Sequence, residues 1–195
     1  MIQSNFLVLL AAAAVPMIMG MLWYSPLLFA KVWMKEANIT VGEMKPAKFA
    51  LILSTAFLFS LMIANTLQFV VIHQMSLPSI VFGLPKAEQE AFLTSTMQKY
   101  GHQFRTFKHG ALHGFIFTLF TALPLIAMHC LYEKKSVKYV LIHLGYWAVS
   151  LTLMGGIICQ WTKSFVPLLN EASSFFIRIL FCLEHTTSMC SRCSY

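Results

Sequence analysis

Apolar residues run through this chain in four long blocks, at about 6–29, 49–72, 110–131 and 139–161, and polar residues gather between them. None of the four blocks contains Asp, Glu, Lys or Arg. A helix of about 20 apolar residues spans roughly 30 Å of hydrocarbon at 1.5 Å per residue. Each block therefore predicts one membrane-crossing helix. The block ends carry head-group signals. The first closes on Trp23, Tyr24, Ser25 and Pro26, followed by Lys31 and Trp33. The others are preceded by Lys45 and Lys48, by Arg105 and Lys108, and by Lys134, Lys135 and Lys138. Aromatic and basic residues favour the membrane–water boundary. Pro16 and Pro124 fall inside blocks, which predicts kinks rather than breaks.

The polar stretches predict further elements. Between the second and third blocks, in the 73–109 loop, Pro85 precedes residues 86–100 and Gly101 follows them, reading as a short surface helix with a proline start and a glycine stop. After the fourth block, Phe165, Leu168, Leu169, Ala172, Phe176, Ile179 and Leu183 share one helical face. Asn170, Glu171, Ser174 and Arg178 take the other, so 163–184 is expected to be an amphipathic interfacial helix. Residues 185–195 are expected to be a flexible tail. The fold class is thus an all-α polytopic membrane protein. Its four-transmembrane-helix bundle occupies 1–162. No internal repeat is visible, so an inverted-repeat transporter is not supported.

Composition agrees with this and removes alternatives. The 195 residues are 58% hydrophobic and only 11% charged, against about 25% charged in soluble domains. That charge cannot cover a soluble core, and the apolar content excludes disorder. There are 14 basic and 7 acidic residues, for a formal charge of +7, and every acidic residue is Glu. The absence of Asp weakens phosphoryl-transfer and aspartyl-dyad chemistry. The bases lie beside apolar blocks, so lipid head groups explain them better than nucleic acid. Lys31, Lys35, Lys45 and Lys48 mark one short loop, and Lys134, Lys135 and Lys138 the other; residues 1–5 carry no base. The positive-inside rule then predicts both short loops cytoplasmic and both termini outside, in the cell membrane. Without a basic leader, the first block is expected to remain as a mature helix.

Little in the sequence points to catalysis. Ser54, Asn65 and Gln68 share one side of the second block. They could line a polar path for a small solute or ion, but interhelical hydrogen bonding is the expected role. Ala12, Ala13, Pro16 and Gly20, then Gly110 and Gly114, then Gly145, Ala148, Thr152, Gly155 and Gly156 form small-residue stripes. Such stripes let backbones approach, within the chain or in a homo-oligomer. His109 and His113 sit four apart, with His102 seven residues before. Imidazoles at that spacing can hold a transition metal, although no carboxylate or Cys accompanies them. His129 and His143 flank the basic loop. The tail's Cys182, His185, Cys190 and Cys193 resemble a metal knuckle only superficially, and the five cysteines imply no disulfide framework. No nucleophile elbow, P-loop, zincin or dinucleotide signature is present. The expectation is a non-enzymatic structural or accessory protein of the bilayer without a cofactor. Permeation and metal binding are the alternatives.

Two passages carry a resemblance. Residues 20–34 read GMLWYSPLLFAKVWM and residues 145–156 read GYWAVSLTLMGG. With the alanine-rich first block, they resemble the small integral-membrane family catalogued as domain of unknown function seventeen sixty-one, over about residues 6–161. This chain has Ala30 where the family pattern has Gly, and the segment after Trp161 lies beyond the resemblance. The resemblance implies a four-helix membrane protein of uncharacterised function. It singles out Trp23, Tyr24, Ser25, Pro26, Gly145, Tyr146 and Gly155.

Overall fold

A computed structural model describes residues 5–39 and 46–162. Among these residues the chain is all helical, with no strand. Helix α1 covers Phe6–Trp23, α2 Ala30–Ala37 and α3 Pro46–Val71. A tight turn, His73–Ser76, leads into α4, Leu77–Ile80, and then α5, Lys86–Tyr100. Helix α6, Phe107–Phe117, continues through a wide turn, Thr118–Ala122, into α7, Leu123–Tyr132, and α8 covers Val137–Trp161. Among the described residues four segments are long and apolar enough to cross a membrane: Phe6–Trp23, Ala47–Val71, Phe107–Tyr132 and Val137–Trp161. The predicted interfacial helix at 163–184 and the tail at 185–195 lie outside the described residues.

The first span ends earlier than the apolar run does. Pro26 disfavours helix at Ser25, so the chain turns at 24–29, held by Phe29 N–H to Trp23 O (3.1 Å) and Ala30 N–H to Ser25 O (3.2 Å). It restarts as the short α2, which keeps Lys31 and Lys35 exposed and stops at Asn38 in a left-handed cap (φ 56°). Pro124 acts as expected of an internal proline. It cannot donate to the preceding turn and its ring crowds it. The helix widens over Thr118–Ala122 just before it and then continues, the usual local adjustment in a membrane helix.

Helix α8 is the centre of the bundle and the most buried of the four spans. It packs on α1, α3 and α6, with α6 closest. Gly110 and Gly114 of α6 face Gly155 and Leu151 of α8 with backbone against backbone. A Cβ added to Gly110 would lie 2.8 Å from the Gly155 carbonyl carbon, and one on Gly114 would lie 2.8 Å from that of Leu151. Leu9, Ala12, Ala64, Leu67, Val71, Ile72, Leu151, Met154 and Ile158 fill the centre. The small-residue stripes of α1, α6 and α8 are therefore used inside one chain. Large apolar residues such as Leu51, Phe59, Phe120 and Leu125 point outward, where lipid tails solvate them.

The helices alternate in direction, so the bundle has two ends. One holds the α1–α2 turn and the α7–α8 loop. These two loops meet: the Ser136 hydroxyl donates to Glu36 and also accepts from Tyr139 N–H (3.2 Å), capping α8. The other end holds the close of α3, α5 and the start of α6.

Candidate functional site

At the α1–α2 end, the residues of the two matching passages form one joint. Trp23 Nε1 donates to Ile142 O (3.0 Å). Its ring lies over Gly145, where an added Cβ would meet ring carbon Cζ2 at 2.7 Å. The Tyr24 hydroxyl and His143 Nδ1 share a hydrogen bond of 2.8 Å. The Tyr146 hydroxyl donates to Pro16 O (3.0 Å), the acceptor nearest the α1 proline. Tyr24 also stacks at an angle against Trp33 and Tyr146 (centroids 5.2 and 5.4 Å). Burial, with Tyr146 and Tyr139 close by, pushes the Tyr24 hydroxyl well above the usual phenol range, so it stays neutral. Ser25 Oγ, Trp33 Nε1 and His143 Nε2 are buried here without a hydrogen-bond partner among the described residues. Pro26 itself is exposed and serves by ending α1. Gly155 belongs to the α6–α8 seam, away from this joint.

Of the three polar residues proposed for a path, the structure brings Asn65 and Gln68 together and leaves Ser54 apart. Gln68 is fully buried, and its Nε2 donates to Asn65 Oδ1 (2.8 Å) one turn away. Ser54 lies about 16 Å further along the helix axis, exposed, its hydroxyl donating to Leu51 O (3.0 Å). Asn65 borders a shallow groove with Phe6, Leu9, Leu61, Met62 and Thr66. That groove lies on the outside of the α1–α3 pair and is mostly apolar.

The opposite end gathers histidines. His109 and His113, on successive turns of α6, face His73 in the turn after α3. The ligand nitrogens of these three lie within 4.8 Å of one another. His73 Nε2 and His109 Nε2 are 3.2 Å apart. His102, expected as the third member from its spacing, lies outside the group, exposed in the turn after α5. Sequence separation misled because the chain reverses at Phe104 (φ 59°), whereas α3 and α6 pack side by side and carry His73 in. Phe104 stacks on His109 (5.2 Å, 27° between planes). A small pocket beside His73 is lined by Gln74, Thr96, Tyr100, Gln103 and Phe104. The Gln74 side chain donates to Tyr100 O and Gln103 O (3.0 and 2.9 Å), pinning the end of α5 over it.

Arg105, read from sequence as a head-group anchor, is half-buried. Both of its terminal nitrogens are enclosed and without partners among the described residues. Burial lowers its guanidinium below the ordinary value, opposed by nearby Cys159. The Cys159 thiol donates to Phe104 O (3.3 Å) and Val71 O (3.5 Å). His129 pairs with Glu133 at the surface (3.3 Å). The tail cysteines Cys182, Cys190 and Cys193, with His185, lie outside the described residues.

A family model described as Protein of unknown function (DUF1761) matches residues 7–159. No curated protein and no solved structure matches the chain.

Proposed function

The chain belongs to that family of unknown function, and from this premise we propose that it works in the bilayer as a non-enzymatic structural or accessory protein, a closed helical bundle rather than a conduit. One observation carries the reading. The aromatic exit of α1 and the glycine–tyrosine passage of α8, the two passages that carry the family resemblance, are engaged with each other. Trp23 sits on Gly145 and bonds to Ile142 O, Tyr24 bonds to His143, and Tyr146 bonds to Pro16 O. Their chemistry is consumed in joining two helices. Its partners are then lipids and, through the broad apolar outer faces, other membrane helices or a second copy of the chain.

Proteoliposomes holding the full chain are expected to show no flux above empty vesicles across a panel of cations, anions and small neutral solutes. A solute that crosses, and stops crossing in Asn65→Leu, would replace this reading with permeation. The reading also places both short basic loops in the cytoplasm, a side they must share because Ser136 touches Glu36. A reporter fused after Ser136 is expected to read cytoplasmic in cells. An extracytoplasmic signal would invert the topology.

A further inference from the structure

We propose that His73, His109 and His113 form a binding site for a divalent late transition-metal ion, zinc(II) in the first instance, with three imidazole ligands and an open fourth position. Two elements build it. Helix α6 presents His109 and His113 on one face because they are four residues apart. The end of α3 delivers His73 against that face, since α3 and α6 run antiparallel in the bundle. One ring nitrogen from each histidine lies within 4.8 Å of those of the other two.

The spacing fits a metal. Zinc–imidazole bonds of about 2.0–2.1 Å in a tetrahedron place neighbouring ligand nitrogens roughly 3.3 Å apart. His73 Nε2 and His109 Nε2 are 3.2 Å apart. The separations to His113 are at most 4.8 Å, so closing the triad to tetrahedral spacing calls for movement of the His113 ring toward the other two.

The donor set selects the ion. Three neutral imidazoles with no carboxylate suit zinc, copper, nickel or cobalt, and do not suit calcium or magnesium, which prefer oxygen. Without metal the cluster is poorly satisfied. His73 and His109 spend a ring nitrogen each on one N–H···N bond, and His113 meets both rings edge-on (4.8 and 4.5 Å) with no hydrogen bond from its ring among the described residues. His73 is exposed, so water can reach the cluster from its side and supply a fourth ligand. Three histidines plus an exchangeable position is a known zinc arrangement.

The experiment uses the full chain in nanodiscs, with Cys182, Cys190 and Cys193 changed to Ser so that the tail cannot bind. After stripping with a chelator, zinc is titrated against a chromophoric competitor. The expected result is one ion per chain, weakened at least a hundredfold by His109→Ala and by His113→Ala, and unchanged by His102→Ala. Thermal unfolding guards against misfolding: zinc is expected to raise the Tm of the parent and not of the histidine variants. Cobalt(II) gives an independent readout, since four-coordinate imidazole sites produce intense visible absorption bands. Absence of stoichiometric zinc, binding indifferent to His109→Ala and His113→Ala, or cobalt spectra of the free hexaaqua ion would each overturn the proposal.

Discussion

Gly155→Leu is expected to cause a large loss of stability, the α8 counterpart of a side chain placed at Gly110 or Gly114 across the same seam. A Cβ at Gly155 would stand 3.2 Å from the carbonyl carbon of Gly110 and 3.3 Å from Gly114 Cα, and closer still to Gly110 O. These neighbours are backbone atoms of α6. They cannot rotate away, so α6 and α8 must separate. Overpacking costs about 1–3 kcal/mol where side chains can shift. Here the upper end, about 3 kcal/mol, is the reasonable figure. For a chain of this length that corresponds to a fall in Tm of roughly 6–12 °C. Separation would also open the core around Leu151 and Met154, which α6 helps to cover. Gly20→Ala is the matched control. Its Cβ would meet Tyr146 at an ordinary 3.7 Å, and alanine favours helix by up to about 1 kcal/mol. Thermal unfolding of both proteins in the same detergent should therefore move in opposite directions or leave Gly20→Ala unchanged. A Gly155→Leu protein as stable as the parent would show that the seam is not a backbone contact.

The spans were legible because lipid does what a protein core does elsewhere. Apolar side chains can face outward, so whole blocks stay apolar whatever their tertiary partners. The stop at Trp23 was less legible, since residues 24–29 remain apolar on average and only Pro26 betrays the turn. The stripes of Gly110, Gly114 and Gly155 announced close approach but not with whom. Antiparallel neighbours meet through geometry that single-helix spacing does not contain. The histidine cluster follows the same division. His109 and His113 are paired by helical period alone, while the third place went to His73, thirty-six residues away along the chain, by packing of α3 against α6. Arg105 and Cys159 were invisible as a pair for that reason also. The burial of Ser25 and Trp33 polar atoms depends on where α2 lies, which no local pattern specifies.

Trp23 and Gly145 offer the second large effect, and it takes the form of a coupling. Trp23→Ala removes a half-buried indole and the extra bond its Nε1 makes to the Ile142 carbonyl, a change expected to cost about 2–3 kcal/mol. Gly145→Leu places a side chain where the indole lies, 2.7 Å from Cζ2 and 3.2 Å from Cη2. The ring has little freedom to move, because Nε1 is bonded to Ile142 O (3.0 Å) and Phe29 packs on its side at 4.7 Å. That substitution is expected to cost about 2 kcal/mol by itself. In the double variant the space vacated by the indole receives the new leucine. The penalty of the double variant should then fall short of the sum of the two single penalties by about 1–2 kcal/mol, within the range seen for residues in direct contact. Thermal unfolding of the four proteins measures this term. Strict additivity would mean that Trp23 does not occupy the Gly145 seat, and the joint between the α1 exit and α8 would then lose its physical basis. A positive coupling would tie the two passages, more than a hundred residues apart in sequence, to one mechanical role: fixing the angle at which α1 leaves the membrane against the start of α8. The Tyr24–His143 bond, one residue further along α1 and two before Gly145, would share that role, with a neutral phenol held by burial beside the imidazole.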